Sequence, residues 1–127
     1  MSCFWDTLIK KINKNDIIDV LKLENINPKD FSNALKRENI KIENVTWKNE
    51  NLTEKQIQEN YDHIKDYDIN TVNNGYLCSS CDPFLLLITE LFKIKIIHDY
   101  NKNKVFYENK KECKYSININ SNNGHMW

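Results

Sequence analysis

Apolar residues recur along this chain with two different periods, and the change of period divides it. Over residues 4–13, Phe4, Leu8 and Ile12 lie four apart with Trp5 and Ile9 beside them, which predicts a helix with one apolar face. Asp16 is placed to cap a second, short helix carrying Ile17, Ile18 and Leu21. Asn27-Pro28 pairs a good N-cap with a residue suited to the first helical position, so a third helix is expected there. Phe31, Ala34 and Leu35 form its buried stripe, and Asn39 is a candidate for its close. Ile40, Ile42 and Val45 suggest a short strand within the mixed residues 40–52. Thr53-Glu54-Lys55-Gln56 is a capping-box pattern, and the helix it opens sets Ile57, Tyr61 and Ile64 on one face. Residues 66–80 read as a loop, with Asn73-Asn74-Gly75 as the turn signal. Asp82-Pro83 is a further cap-plus-proline start, and the helix over 83–92 is apolar nearly all round, which predicts a central position.

After residue 92 the period falls to two. Residues 93–98 alternate Lys with Ile, 99–103 are a polar turn, and 104–107 form a partner strand. Tyr115, Ile117 and Ile119 alternate with Ser116, Asn118 and Asn120. Residues 121–124 read as a loop before His125-Met126-Trp127. Helices followed by a small, mostly antiparallel sheet predict an α+β fold, and 127 residues make a single domain over 1–127.

Charge and composition narrow the partners. Acidic and basic side chains balance at 18 each, so no broad field exists to attract nucleic acid or an anionic membrane. The longest apolar run, residues 84–88, is far too short to span a bilayer. The first residues lack a signal-peptide pattern and four cysteines lack the density of a secreted disulfide scaffold, so a reducing, cytoplasmic setting is expected. Trp5, Phe31, Trp47, Tyr61 and Phe92 fall at core spacing and are assigned to packing, while the scattered lysines read as a solvated surface.

The chemistry is expected at the two ends of the chain. Cys3 stands at the start of the first helix, where unpaired N–H groups favour negative charge and hence the thiolate, the attacking form of cysteine. His125 follows a glycine at the start of a short strand. A strand beside the nucleophile helix brings an imidazole within reach of the thiol, the cysteine-then-histidine order of papain-like proteases. Cys78-Ser79-Ser80-Cys81 has the spacing of half a zinc site or of a redox pair. The other donors, Cys113 and His98, form no second paired motif, so reduced thiols and no metal or cofactor are expected. His63 is read as a surface helix residue and His98 as a strand-end residue.

Three segments resemble the ovarian-tumour (OTU) class of deubiquitinases. The run Ser2-Cys3-Phe4-Trp5-Asp6-Thr7-Leu8-Ile9 is similar to that family's nucleophile helix. Residues 83–97, a leucine-rich helix running into Ile94-Lys95-Ile96-Ile97, are similar to its second signature. Asn123-Gly124-His125-Met126-Trp127 resembles its terminal strand, where the catalytic histidine precedes bulky residues. The matches come in the family's order and span the chain, and the compact size looks viral. The resemblance implies an OTU-like, papain-like cysteine protease fold and a thiol peptidase with Cys3 as nucleophile and His125 as base. It implies cleavage after the Gly-Gly end of ubiquitin or a ubiquitin-like modifier by a monomer. The family often carries Asp or Asn two residues after the histidine, where this chain has Trp127, and an acidic or polar residue shortly before the cysteine, where it has Met1 and Ser2. Asp6, Asp99, Asn122 and Asn123 are therefore the candidates for orienting the imidazole, and the Cys3 N–H for the oxyanion. Residues 72–80 together with Asn122, Asn123 and Gly124 are expected to wall a narrow substrate channel, with Trp127 beside it. A self-processing viral polyprotein protease and a catalytically inactive OTU-fold binding module are the alternative readings.

Overall fold

The computed structural model describes residues 3–71, 78–122 and 125–127, with Cys3 and residues 78–81 as backbone only. Three helices open the chain: α1 (Cys3–Lys11), α2 (Lys14–Leu21) and α3 (Pro28–Arg37). A hairpin follows, β1 (Val45–Trp47) and β2 (Glu50–Asn51), then α4 (Glu54–Lys65), a 3₁₀ turn (Ile69–Thr71) and α5 (Cys78–Phe92). The last third is β3 (Lys95–Tyr100), β4 (Asn103–Asn109) and β5 (Ser116–Ser121). The fold is α+β as expected, but the β1–β2 hairpin interrupts the helices, so the chain does not run through all of its helices first.

Local chemistry accounts for most boundaries. The Asn27 side chain accepts a hydrogen bond from the Asp30 N–H at the head of α3, with Pro28 following it. Thr53 and Gln56 complete the reciprocal capping box of α4. The cap of α2 is Asn13 rather than Asp16: its Oδ1 accepts from the Asn15 and Asp16 N–H groups at 2.9 and 3.2 Å. Asp16 lies instead in the first turn, where its charge suits the helix N-terminus. Glu38, not Asn39, closes α3; the Asn39 carboxamide reaches across to donate to the Tyr61 carbonyl. Residues 40–44 pair with no strand. Ile42 is buried while Ile40 stays 43 % exposed. α5 starts at Cys78, five residues before Pro83, although a cap-plus-proline start was expected. A proline forfeits one intrahelical bond, and tertiary contact holds the turn ahead of it: Asp82 accepts a 2.5 Å hydrogen bond from the Tyr107 hydroxyl on β4.

The sheet has the order β2-β1-β4-β3-β5. Three of its neighbouring pairs are antiparallel, but β3 and β5 run parallel, with Ile96 opposite Ile117 and His98 opposite Ile119. The parallel pair arises because β5 returns on the far side of β3 from β4. The β1–β2 and β3–β4 turns are glycine-free, with positive φ at Lys48 and Asn49 and at Asn101 and Lys102. Two successive left-handed residues match the right-handed twist of a hairpin.

The core is one continuous cluster between the helices and the sheet. In α5, Phe84, Leu85, Leu86, Leu87 and Ile88 are all fully buried, which fits their central placement. They meet Ile94, Ile96, Tyr107, Ile117 and Ile119 from the sheet side. Trp5, Phe31 and Phe92 are buried as expected, whereas Trp47 and Tyr61 are only partly so. Among the described residues no helix is long and apolar enough to cross a membrane.

Candidate active site

α1 carries its apolar stripe, Phe4, Trp5, Leu8 and Ile12, into the core. That burial fixes the rotation of the helix about its axis, and so the direction in which its first turn faces. The helix starts at Cys3, the position expected for the nucleophile. The cysteine side chain itself lies outside the described residues.

The opposite end of the chain comes back to this helix. Beyond β5, Met126 forms an antiparallel bridge with Ser121. Asn120 and Trp127 exchange both main-chain hydrogen bonds at 2.8 Å. The Thr7 hydroxyl, in the second turn of α1, donates to the Met126 carbonyl at 3.2 Å from a buried position. Lys11 Nζ donates to the Asn118 carbonyl and, at 3.4 Å, to the main-chain oxygen of Trp127. The buried Thr7 bond, between neutral groups, contributes about 0.5–1.5 kcal/mol. Its larger effect here is positional, because it sets the register between α1 and the returning segment.

Alternation along that segment decides what faces where. Side chains two apart share a side, so Met126 enters the core at 1 % exposure while His125 and Trp127 share the other side. Their rings stack at 5.7 Å with an 18° interplanar angle. Trp127 was expected to line a substrate channel. It lines a groove next to His125, and its ring stacks flat on the imidazole. Asp6, Thr7, Lys10, Lys11, His125, Met126 and Trp127 line this groove of about 190 Å³. His125 and the helix that starts at Cys3, through its residues Asp6, Thr7, Lys10 and Lys11, therefore share one cleft.

The four orienting candidates separate. Asp6 is exposed and lines the groove with His125. Asn122 Oδ1 accepts from the His125 backbone N–H at 3.0 Å, so this bond acts on the main chain of His125 and not on its ring. Asp99 stands in β3, where its charge acts on His98. Asn123 and Gly124 lie outside the described residues, as do the channel residues 72–77. The Cys78 and Cys81 side chains lie outside them too. Among the described residues no group of three or more His, Cys, Asp or Glu is placed to hold a metal ion.

A second polar group emerges where none was expected. His98 is not a strand-end residue: pairing of β3 and β4 continues to Tyr100 opposite Asn103 and leaves His98 within the strand, at 6 % exposure. Its Nε2 lies 2.6 Å from Oγ of Ser121, itself 2 % exposed. Burial holds the His98 pKa below its ordinary value, against the opposing charges of Asp82 and Asp99. A serine beside an imidazole with carboxylates nearby has the charge order of a hydrolytic triad, but a hydroxyl this buried meets no substrate. Both positions had a signal in the period-two pattern: Ile94, Ile96 and His98, like Ile117, Ile119 and Ser121, fall on the inward face. Polar residues at two inward positions point to a buried pair.

The lowered pKa has a stability consequence. The unfolded chain takes up the His98 proton near the ordinary value of 6.5, and the folded chain takes it up at lower pH. Above about 6.5 both states are neutral there and the group contributes nothing. As pH falls below that value the unfolded state binds more protons, so stability declines until the folded-state pKa is passed. Urea midpoints from pH 7.5 to 4.5 should therefore fall more steeply for the native chain than for a His98→Gln variant. Identical slopes would remove His98 as a source of acid sensitivity.

No family model matches the chain, and neither a curated protein nor a solved structure does.

Proposed function

We propose that this chain is a thiol-dependent isopeptidase that cleaves after the C-terminal Gly-Gly of ubiquitin or a ubiquitin-like modifier. Cys3 is the nucleophile and His125 the general base and acid. The observation that carries this reading is the shared cleft: the segment bearing His125 is tied through Thr7 to the helix that starts at Cys3. In the first half of the reaction the imidazole takes the thiol proton, sulfur attacks the carbonyl carbon, and the proton passes to the departing lysine amine. Water then attacks the thioester with the imidazole again as base. The Cys3 N–H at the head of α1 suits the oxyanion. The stacked Trp127 ring limits the tilt of the His125 ring, at the position where the resembled family often carries an orienting Asp or Asn. Gly124 would let substrate backbone approach closely.

Incubation with ubiquitin bearing a C-terminal electrophile tests the assignment. Intact mass should rise by one ubiquitin adduct, mapped to Cys3 and absent from Cys3→Ala. An adduct on Cys78, Cys81 or Cys113 would mean a different thiol is the nucleophile. Ubiquitin binding without capture would favour the inactive binding module.

A further inference from the structure

The buried His98–Ser121 pair has no part in the reaction just described, yet Ser121 bridges Met126, the residue next to His125. Ser121 is the last residue of β5, and three interactions converge on it. Its Oγ meets His98 Nε2, its carbonyl accepts from the Asn101 N–H at 3.2 Å, and its backbone bridges Met126. The next residue, Asn122, holds the His125 N–H. The inward faces of β3 and β5 are otherwise apolar at Ile96, Ile117 and Ile119. A polar pair there costs desolvation that an apolar pair would avoid, and in return it fixes one geometry at the root of the turn.

We propose that His98, acting through Ser121, is a positioning residue for His125, and that protonation of His98 loosens the segment that presents the catalytic imidazole. This rests on the reading of His125 as the base. The polarity of one hydrogen bond carries it. With the proton on Nδ1, Nε2 accepts from the Ser121 hydroxyl. The imidazolium has no acceptor, so Nε2 becomes a donor and the Ser121 O–H must turn to another partner in a site closed to water. The charged groups near the ring are Asp82 from α5 and Asp99 on its own strand. The Tyr100 ring packs edge-on at 6.4 Å, and Tyr107 of β4 is bonded to Asp82. An imidazolium is attracted by the two carboxylates, while its bond to Ser121 survives only with its polarity reversed.

Nuclear magnetic resonance on the intact chain tests this without depending on activity. In a His125→Asn variant, which leaves no imidazole at that position, the Met126 amide and the Trp127 indole N–H are followed from pH 7.5 to 4.5. Both signals should shift with the midpoint of the His98 ring, and the shift should vanish when His98→Gln is added. Signals that ignore the His98 midpoint, or that keep the same step in the double variant, overturn the proposal. In the otherwise native chain Ser121→Ala should lower kcat by about tenfold to a hundredfold, the scale of a misplaced catalytic group, with KM little changed. Unchanged kcat in a folded Ser121→Ala chain also overturns it. Failure of the native chain to process any ubiquitin substrate would instead sink the isopeptidase reading, and the resonance coupling would still be decided.

Discussion

Turnover is expected to fall by about 10²–10⁴-fold when His125 becomes alanine, the usual worth of a positioned acid–base group. The fold should survive, because the His125 side chain is exposed and its neighbours Met126 and Trp127 keep their backbone bonds to Ser121 and Asn120. Circular dichroism and the urea midpoint should match the native chain. The proton argument makes the loss large. In the proposed reaction a thiol must lose its proton to attack and a lysine amine must gain one to leave, so a single imidazole would serve both halves of the step. Orienting groups are worth less to a thiol than to a serine, since the thiol ionises more readily. Asp6→Asn and Trp127→Ala should therefore each cost less than His125→Ala, with Trp127→Ala the larger of the two because it removes the ring stacked on the imidazole. Near-full activity in His125→Ala would end the catalytic assignment.

The second large effect is on stability. Trp5 is fully buried and meets four aromatic rings: Phe4 at 4.9 Å, Phe84 at 4.8 Å, and Phe31 and Tyr67 at 6.0 Å. Its indole N–H donates to the Tyr67 hydroxyl at 3.3 Å. Trp5→Ala empties the centre of this cluster and leaves that hydroxyl without its donor, so a loss of about 3–5 kcal/mol is expected. Trp5→Phe keeps most of the ring contacts and should cost clearly less. Equilibrium unfolding in urea reads both. A cost for Trp5→Ala below about 1 kcal/mol would mean that the cluster does not hold α1 as described. The functional link is direct, because Trp5 lies two residues after Cys3. The packing that anchors Trp5 also holds α1, the helix that starts at Cys3 and bonds the segment bearing His125 through Thr7.

Local patterns in the sequence determined a good deal of this protein. The stripe Phe4, Leu8, Ile12, the Asn27-Pro28 start, the capping box at Thr53 and the alternation through Ile117 and Ile119 each specify an element from neighbours a few residues apart. Backbone hydrogen bonding and side-chain period act at that range, and so these elements are legible without the rest of the chain. The central place of residues 84–88 was legible too, since a helix apolar all round must be covered on every side.

Only the tertiary structure decided what depends on distant partners. The helical turn ahead of Pro83 rests on Tyr107, some 25 residues onward, and no local signal marks it. Residues 40–44 alternate like a strand, but an isolated alternation forms no ladder without an edge to join. Sequence order cannot say that β5 lies parallel to β3, because that depends on which edge of the sheet is open when the chain returns. The site divides in the same way. Cys3 and His125 stand out by residue type and local setting, whereas the contacts that bring their segments together, Thr7 with Met126 and Lys11 with Asn118 and Trp127, join residues more than a hundred positions apart. The same holds for the stacking of Trp127 as a neighbour of the imidazole and for the bond between His98 and Ser121. A side chain's partner across a fold is chosen by the packing of whole elements, and that choice exists only once the helices have closed over the sheet.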